Sequence, residues 1–102
     1  MYVCVCIHRH TETQFTEKTI SNTAQHAILL AVNSGKTYSG EVTITDNKAN
    51  SIGDRFVKMA GAGDATVVIT KNTITNYCGE DEDYIKVTDS NGTPIIENNT
   101  KN

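Results

Sequence analysis

The chain opens on alternation. Val3, Val5 and Ile7 are apolar at every second position, with Tyr2, Cys4 and Cys6 between them, which is the period of a strand burying one face. The same kind of run returns downstream. Residues 55–61 read RFVKMAG and residues 83–89 read DYIKVTD, so aromatic, aliphatic, lysine, aliphatic recurs with Val57 and Ile85 spaced 28 apart. A step of 28 back from Val57 reaches Leu29 inside AILLAV, and a further 26 reaches Val3. The opening strand is one copy of a repeated element.

A second element follows each of these. It reads VTITDN from Val42, TVVITKN from Thr66 and TPIIENN from Thr93, placing Ile44, Ile69 and Ile96 in register at spacings of 25 and 27. Each isoleucine stands three residues before an asparagine: Asn47, Asn72 and Asn99. The earliest copy, QFTEKTISN, departs from this, with Phe15 in the isoleucine place and Lys18 in the asparagine place. A third short stretch puts Ile20, Ala49 and Ile74 in one column.

No unit of about 25 to 29 residues has enough apolar surface to close a core alone, so the units must stack. The spacing predicts one inward column of Val3, Leu29, Val57 and Ile85, a second of Val5, Ala31, Met59 and Val87, and a third of Phe15, Ile44, Ile69 and Ile96. The stretch from first to second strand is longer in the second unit, which predicts NSGKTYSG, residues 33–40, as a protruding loop.

Composition narrows the picture. The 102 residues make a single domain spanning 1–102. Abundant Thr and Asn, one proline and no tryptophan favour strands and polar turns over helix packing. A net charge of -3 with only 9 Lys plus Arg argues against a phosphate-tracking surface, so no nucleic acid is expected as a partner. The opening apolar run is too short for a membrane span and lacks the flanks of a signal peptide. Three cysteines, Cys4, Cys6 and Cys78, leave one over in any pairing and do not fix a redox compartment.

The stacked units, together with ITDNKANS, ITKNTITN and IENNTKN, resemble the right-handed parallel β-helix superfamily that includes pectate lyases, chondroitinase-B-like lyases and phage tailspikes. The expected fold is therefore all-β, a right-handed parallel β-helix solenoid of about three to four coils. Asn47, Asn72 and Asn99 would form a ladder, each side-chain amide bonding its equivalent one coil away at the strand spacing of about 4.8 Å. Because the chain starts within a strand and without a polar cap, the expectation is a set of C-terminal coils from a longer protein. Missing upstream coils, or a second chain, would then cover the N-terminal face. The resemblance also implies a secreted or cell-surface location.

Several side chains are candidates for chemistry. Lys58 and Lys86 fall side by side on adjacent coils, facing outward. Resemblance to polysaccharide lyases implies a role for them in holding an acidic sugar or abstracting a proton beside its carboxylate, with Arg55 neutralising charge. Tyr2, Phe56 and Tyr84 read as an outward aromatic row of the kind on which sugar rings stack. Arg55 and Asp83 form an opposite-charge pair across coils. The acidic run at Glu80–Asp83 raises calcium as a ligand but lacks the spaced order of a calcium loop, so no cofactor is expected. Cys4, Cys6, His8 and His10 alternate suggestively, yet alternate strand positions lie about 6.6 Å apart, too far for two thiolates on one zinc. GKT at Gly35 and GAG at Gly61 lack the context of phosphate loops. Asn91 and Asn98 begin N-x-T glycosylation triplets. The leading expectation is a structural or carbohydrate-contacting segment without catalysis of its own. The alternative is part of a polysaccharide lyase acting by β-elimination on an acidic glycan.

Overall fold

The computed structural model describes residues 3–7, 12–32, 37–79 and 83–102; for β1, Glu12, Thr13 and Val32 the backbone alone is described. Four coils follow one another, each contributing three short strands. The first holds β1 (Val3–Ile7), β2 (Glu12–Thr16) and β3 (Thr19–Thr23), and the second β4 (Ile28–Val32), β5 (Glu41–Thr45) and β6 (Lys48–Ile52). The third holds β7 (Val57–Met59), β8 (Thr66–Thr70) and β9 (Thr73–Tyr77), and the fourth β10 (Ile85–Val87), β11 (Ile95–Glu97) and β12 (Thr100–Lys101).

Strands stack by position in the coil. Three four-stranded sheets result, ordered β1-β4-β7-β10, β2-β5-β8-β11 and β3-β6-β9-β12, and every pairing is parallel. This is an all-β parallel solenoid of four coils, as the repeat requires. The core is the bore of the solenoid, where Phe15, Ile44 and Ile69 lie over one another with Ile96 next in register. Ile20, Ala49 and Ile74 make a second buried column.

The first sheet corrects the expected columns by one residue. Ile28, not Leu29, aligns with Val3, Val57 and Ile85, and Leu30, not Ala31, aligns with Val5, Met59 and Val87. Ile28 and Leu30 are fully buried, and Leu29 falls in the outward column beside Lys58. AILLAV has no polar residue to mark which face is wet, so alternation alone leaves its register open.

The corners depend on left-handed backbone. Glu17, Asp46, Lys71 and Asn98 all have φ of 55–58°, and each precedes the residue on the ladder position, namely Lys18, Asn47, Asn72 and Asn99. One such residue turns the chain from the second sheet into the third. A second set, Asn22, Ser51 and Asn76 at φ 55–60°, kinks β3, β6 and β9. The kink changes the inward spacing from two to three, so Ile52 follows Ala49 inward and Tyr77 follows Ile74.

Residues 37–40 of the expected protruding loop instead lie against the body. Tyr38 is 2% exposed, its N–H donates to the Gly61 carbonyl at 2.9 Å, and its hydroxyl donates to the Ala31 carbonyl at 3.2 Å. Gly63, at φ 57°, allows this approach, because a Cβ there would stand 2.6 Å from the Thr37 Cβ. Residues 33–36 lie outside the described part.

Candidate functional site

The asparagine ladder is the most completely formed polar constellation. Asn72 Oδ1 accepts from the backbone N–H of Asn47 at 3.0 Å and from Asn47 Nδ2 at 2.9 Å. Asn99 Oδ1 does the same for Asn72, at 3.1 and 2.9 Å. The remaining donors are used too: Asn47 Nδ2 donates to the Phe15 carbonyl, Asn72 Nδ2 to Ile44 and Asn99 Nδ2 to Ile69, each at 3.0 Å. At the first coil Lys18 offers only its backbone N–H, which donates to Asn47 Oδ1 at 2.9 Å. Asn47 and Asn72 are 1% and 0% exposed, so these bonds satisfy groups that water cannot reach. The ladder binds coil to coil and has no reactive group to offer a substrate.

The outward face of the first sheet carries the lysine pair. Lys58 and Lys86 are directly opposite on β7 and β10, and the Lys58 column continues through Leu29 to Cys4. At about 5 Å two ammonium groups repel by only about 0.8 kcal/mol in water, so flexible stems can hold both charges on one open face. Such a face can attract an anion. Arg55 is adjacent, and its Nε donates to the backbone carbonyl of Asp83 at 3.0 Å. One edge of the guanidinium therefore ties the third coil to the fourth.

The aromatic row is only partly as expected. Phe56 is fully buried and cannot meet a ligand; its place is a bend just before β7, where the strand alternation has not begun and the ring turns into the bore. Ala27, Phe56 and Tyr84 occupy equivalent positions, as Ile28 N–H donates to the Phe56 carbonyl and Val57 N–H to the Tyr84 carbonyl. Tyr84 lies over that column, half-buried, and burial pushes its phenol pKa above the ordinary value. Tyr2 lies outside the described residues.

A cluster that the alternation did not single out stands beside Tyr84. Its ring centroid is 6.2 Å from that of Tyr77, the planes tilted by 60°, and Lys101 Nζ sits 5.0 Å from the Tyr77 centroid and 5.6 Å from that of Tyr84. Tyr77 escapes a period-2 reading because the Asn76 kink sets it inward. Lys101 was within reach: it stands 27 residues after Ile74, the spacing that links Ile69 to Ile96.

An open notch of about 370 Å³ lies at the corner of the third and fourth coils, lined by Asp64, Thr66, Val67, Asn91 and Thr93 among others. Asn91 Nδ2 donates to Asp64 Oδ1 at 2.7 Å across it, and none of Lys58, Lys86, Arg55 or Tyr84 lines it. Among the described residues, no group of three His, Cys, Asp or Glu side chains could hold a metal ion, and no helix could cross a membrane. The acidic run at Glu80–Glu82 and the His8 and His10 half of the alternating Cys/His set fall outside those residues.

No protein-family model matches the chain, and neither a curated protein nor a solved structure matches it significantly.

Proposed function

We propose that this chain is a structural segment of a secreted or surface protein of the right-handed parallel β-helix, pectate-lyase-like kind, making contact with carbohydrate but carrying out no catalysis of its own. The observation that carries the reading is the ladder of Asn47, Asn72 and Asn99: the side-chain amides of these three residues are engaged in bonds that join coils. A scaffold needs that use of them. The carbohydrate contact rests on Tyr84, an aromatic ring left partly open beside the Lys101 ammonium, since ring faces and a nearby cation suit sugars bearing carboxylates. A glycan array tests it. Binding to uronate-containing glycans that is lost in Tyr84→Ala supports the contact; no binding, or binding indifferent to Tyr84, removes it.

One observation favours a second reading, polysaccharide β-elimination. Lys58 and Lys86 do stand side by side, the arrangement a base and a carboxylate-binding cation would need. Incubation with uronate-rich glycans, followed by ultraviolet absorbance of unsaturated ends, separates the two. Absorbance that disappears in Lys58→Ala or Lys86→Ala supports the lyase, and no absorbance discards it.

A further inference from the structure

The corner between the third and fourth coils carries Asn91-Gly92, and no other asparagine of the chain precedes a glycine. The backbone nitrogen of the residue after an asparagine can attack the side-chain Cγ, and a Cβ on that residue obstructs the approach. Glycine removes the obstruction. Here the bond that forms joins Gly92 N to Asn91 Cγ, and the bond that breaks is Cγ–Nδ2. The Gly92 amide proton leaves with the departing nitrogen as ammonia. Water then opens the five-membered imide at either carbonyl, giving aspartate or its isomer linked through the side-chain carboxyl.

The local structure leaves this dipeptide open to the reaction. Asn91 and Gly92 are both exposed, Gly92 lies outside the left-handed region, and nothing stands within 4 Å of where its Cβ would be, so no packed neighbour holds that peptide in place. The exposure of Asn91 does not come from its place in the fourth coil. Its N–H donates to the Gly63 carbonyl, which sets it over Asp64, and Asp64 is exposed although the fourth coil lies over it. Asn47 and Asn72, by contrast, are buried with their amides committed to the ladder. Asp64 gives the reaction a structural consequence. Asn91 Nδ2 donates to Asp64 Oδ1 at 2.7 Å and so ties the fourth coil to the third, and this nitrogen is the one lost as ammonia. A carboxylate takes its place, turning a hydrogen bond into a like-charge contact close to where the Gly63 N–H donates to the Asp89 carbonyl at 2.8 Å. We propose that Asn91 is a site of spontaneous deamidation, and that its product loosens the corner between the third and fourth coils by repelling Asp64.

Ageing the folded protein in mildly alkaline buffer, with peptide mapping by mass spectrometry, reads the first half of the proposal. Asn91 should deamidate ahead of every other asparagine. Gly92→Ala, whose added Cβ meets nothing, should keep the fold and slow the reaction at Asn91 at least about tenfold. Hydrogen exchange reads the second half. Asn91→Asp supplies one of the products directly, and its Gly63 amide should exchange about tenfold faster than in the unaltered chain, as two facing carboxylates favour local opening. Adding Asp64→Asn to Asn91→Asp removes the facing charge and should bring the Gly63 rate back to that of the unaltered chain. The proposal is overturned if another asparagine deamidates first, if Gly92→Ala deamidates as fast as the unaltered chain, if Asn91→Asp leaves the Gly63 rate unchanged, or if that rate stays raised in the double variant.

Discussion

Ile69 and Ile96 are the same residue type in one column on adjacent coils, yet the first is 0% exposed and the second 43%. Asn72 and Asn99 repeat the contrast: both accept from the rung below, but Asn72 also donates its backbone N–H to the rung above and is completely buried. The difference is the number of neighbouring coils, not the chemistry of the side chain. In a solenoid stability is close to a sum over coils and the contacts between them, so one residue type contributes according to its place in the pile.

Truncating the ladder should divide the two regions most sharply. Asn72→Ala takes the acceptor from Asn47 N–H and Nδ2 and the donor from the Ile44 carbonyl, leaving buried groups unpaired at roughly 1–3 kcal/mol each. A loss of about 4 kcal/mol is expected by urea unfolding, a large share of the roughly 5–15 kcal/mol of a small domain. Asn99→Ala should cost about 1 kcal/mol, since water can serve the groups that it leaves. Equal losses would mean that the ladder is not shared between coils.

The aliphatic column should follow with a smaller separation. Ile69→Ala opens a cavity in the bore and should cost about 3 kcal/mol, whereas Ile96→Ala removes a half-exposed side chain and should cost about 1 kcal/mol. Similar costs at the two positions, read from urea midpoints, would set burial aside as the cause.

The corner residues give a gain instead. Lys71 holds φ at 58° with its side chain exposed, a conformation that costs an L-residue about 1 kcal/mol and glycine almost nothing. Lys71→Gly should therefore raise stability by about 0.5 kcal/mol after the entropy of the freer unfolded chain is set against it. A clear loss in thermal unfolding would show that the Lys71 side chain contributes something the turn does not explain.

The weakest effect belongs to the fourth coil alone. Burial raises the Tyr84 pKa, so the folded state keeps the phenolic proton more tightly than the unfolded chain does. The resulting stability is complete below the ordinary tyrosine value and is lost as pH rises through the raised one. Above about pH 10, the ordinary tyrosine value, Tyr84→Phe should flatten the decline in stability with pH. An unchanged slope would remove Tyr84 as its source.

These contrasts also show why some of the architecture was legible in the chain and some was not. The column of Phe15, Ile44, Ile69 and Ile96 and the three asparagines could be read because each isoleucine stands three residues before an asparagine, which fixes its register. Leu29 could not be placed, since every residue of AILLAV is compatible with either face. Phe56 was assigned to the outside because alternation was extended past the strand into a bend. The kinks at Asn22, Ser51 and Asn76 hid Ile52 and Tyr77, for a left-handed residue shifts the inward period and leaves little mark in the pattern when it is serine. The lysine pair of Lys58 and Lys86 follows from the same spacing as the core. The Arg55 contact was seen as a neighbour of Asp83, but spacing cannot distinguish a carboxylate from a backbone carbonyl.

The most direct test of the stacked-coil account is a methyl NOE spectrum of isotopically labelled protein. It should show Ile44 against Ile69, Ile69 against Ile96, and Ile28 against Val57, with Leu29 absent from the Val57 methyls. Strong Leu29–Val57 contacts together with silence between Ile44 and Ile69 would contradict it.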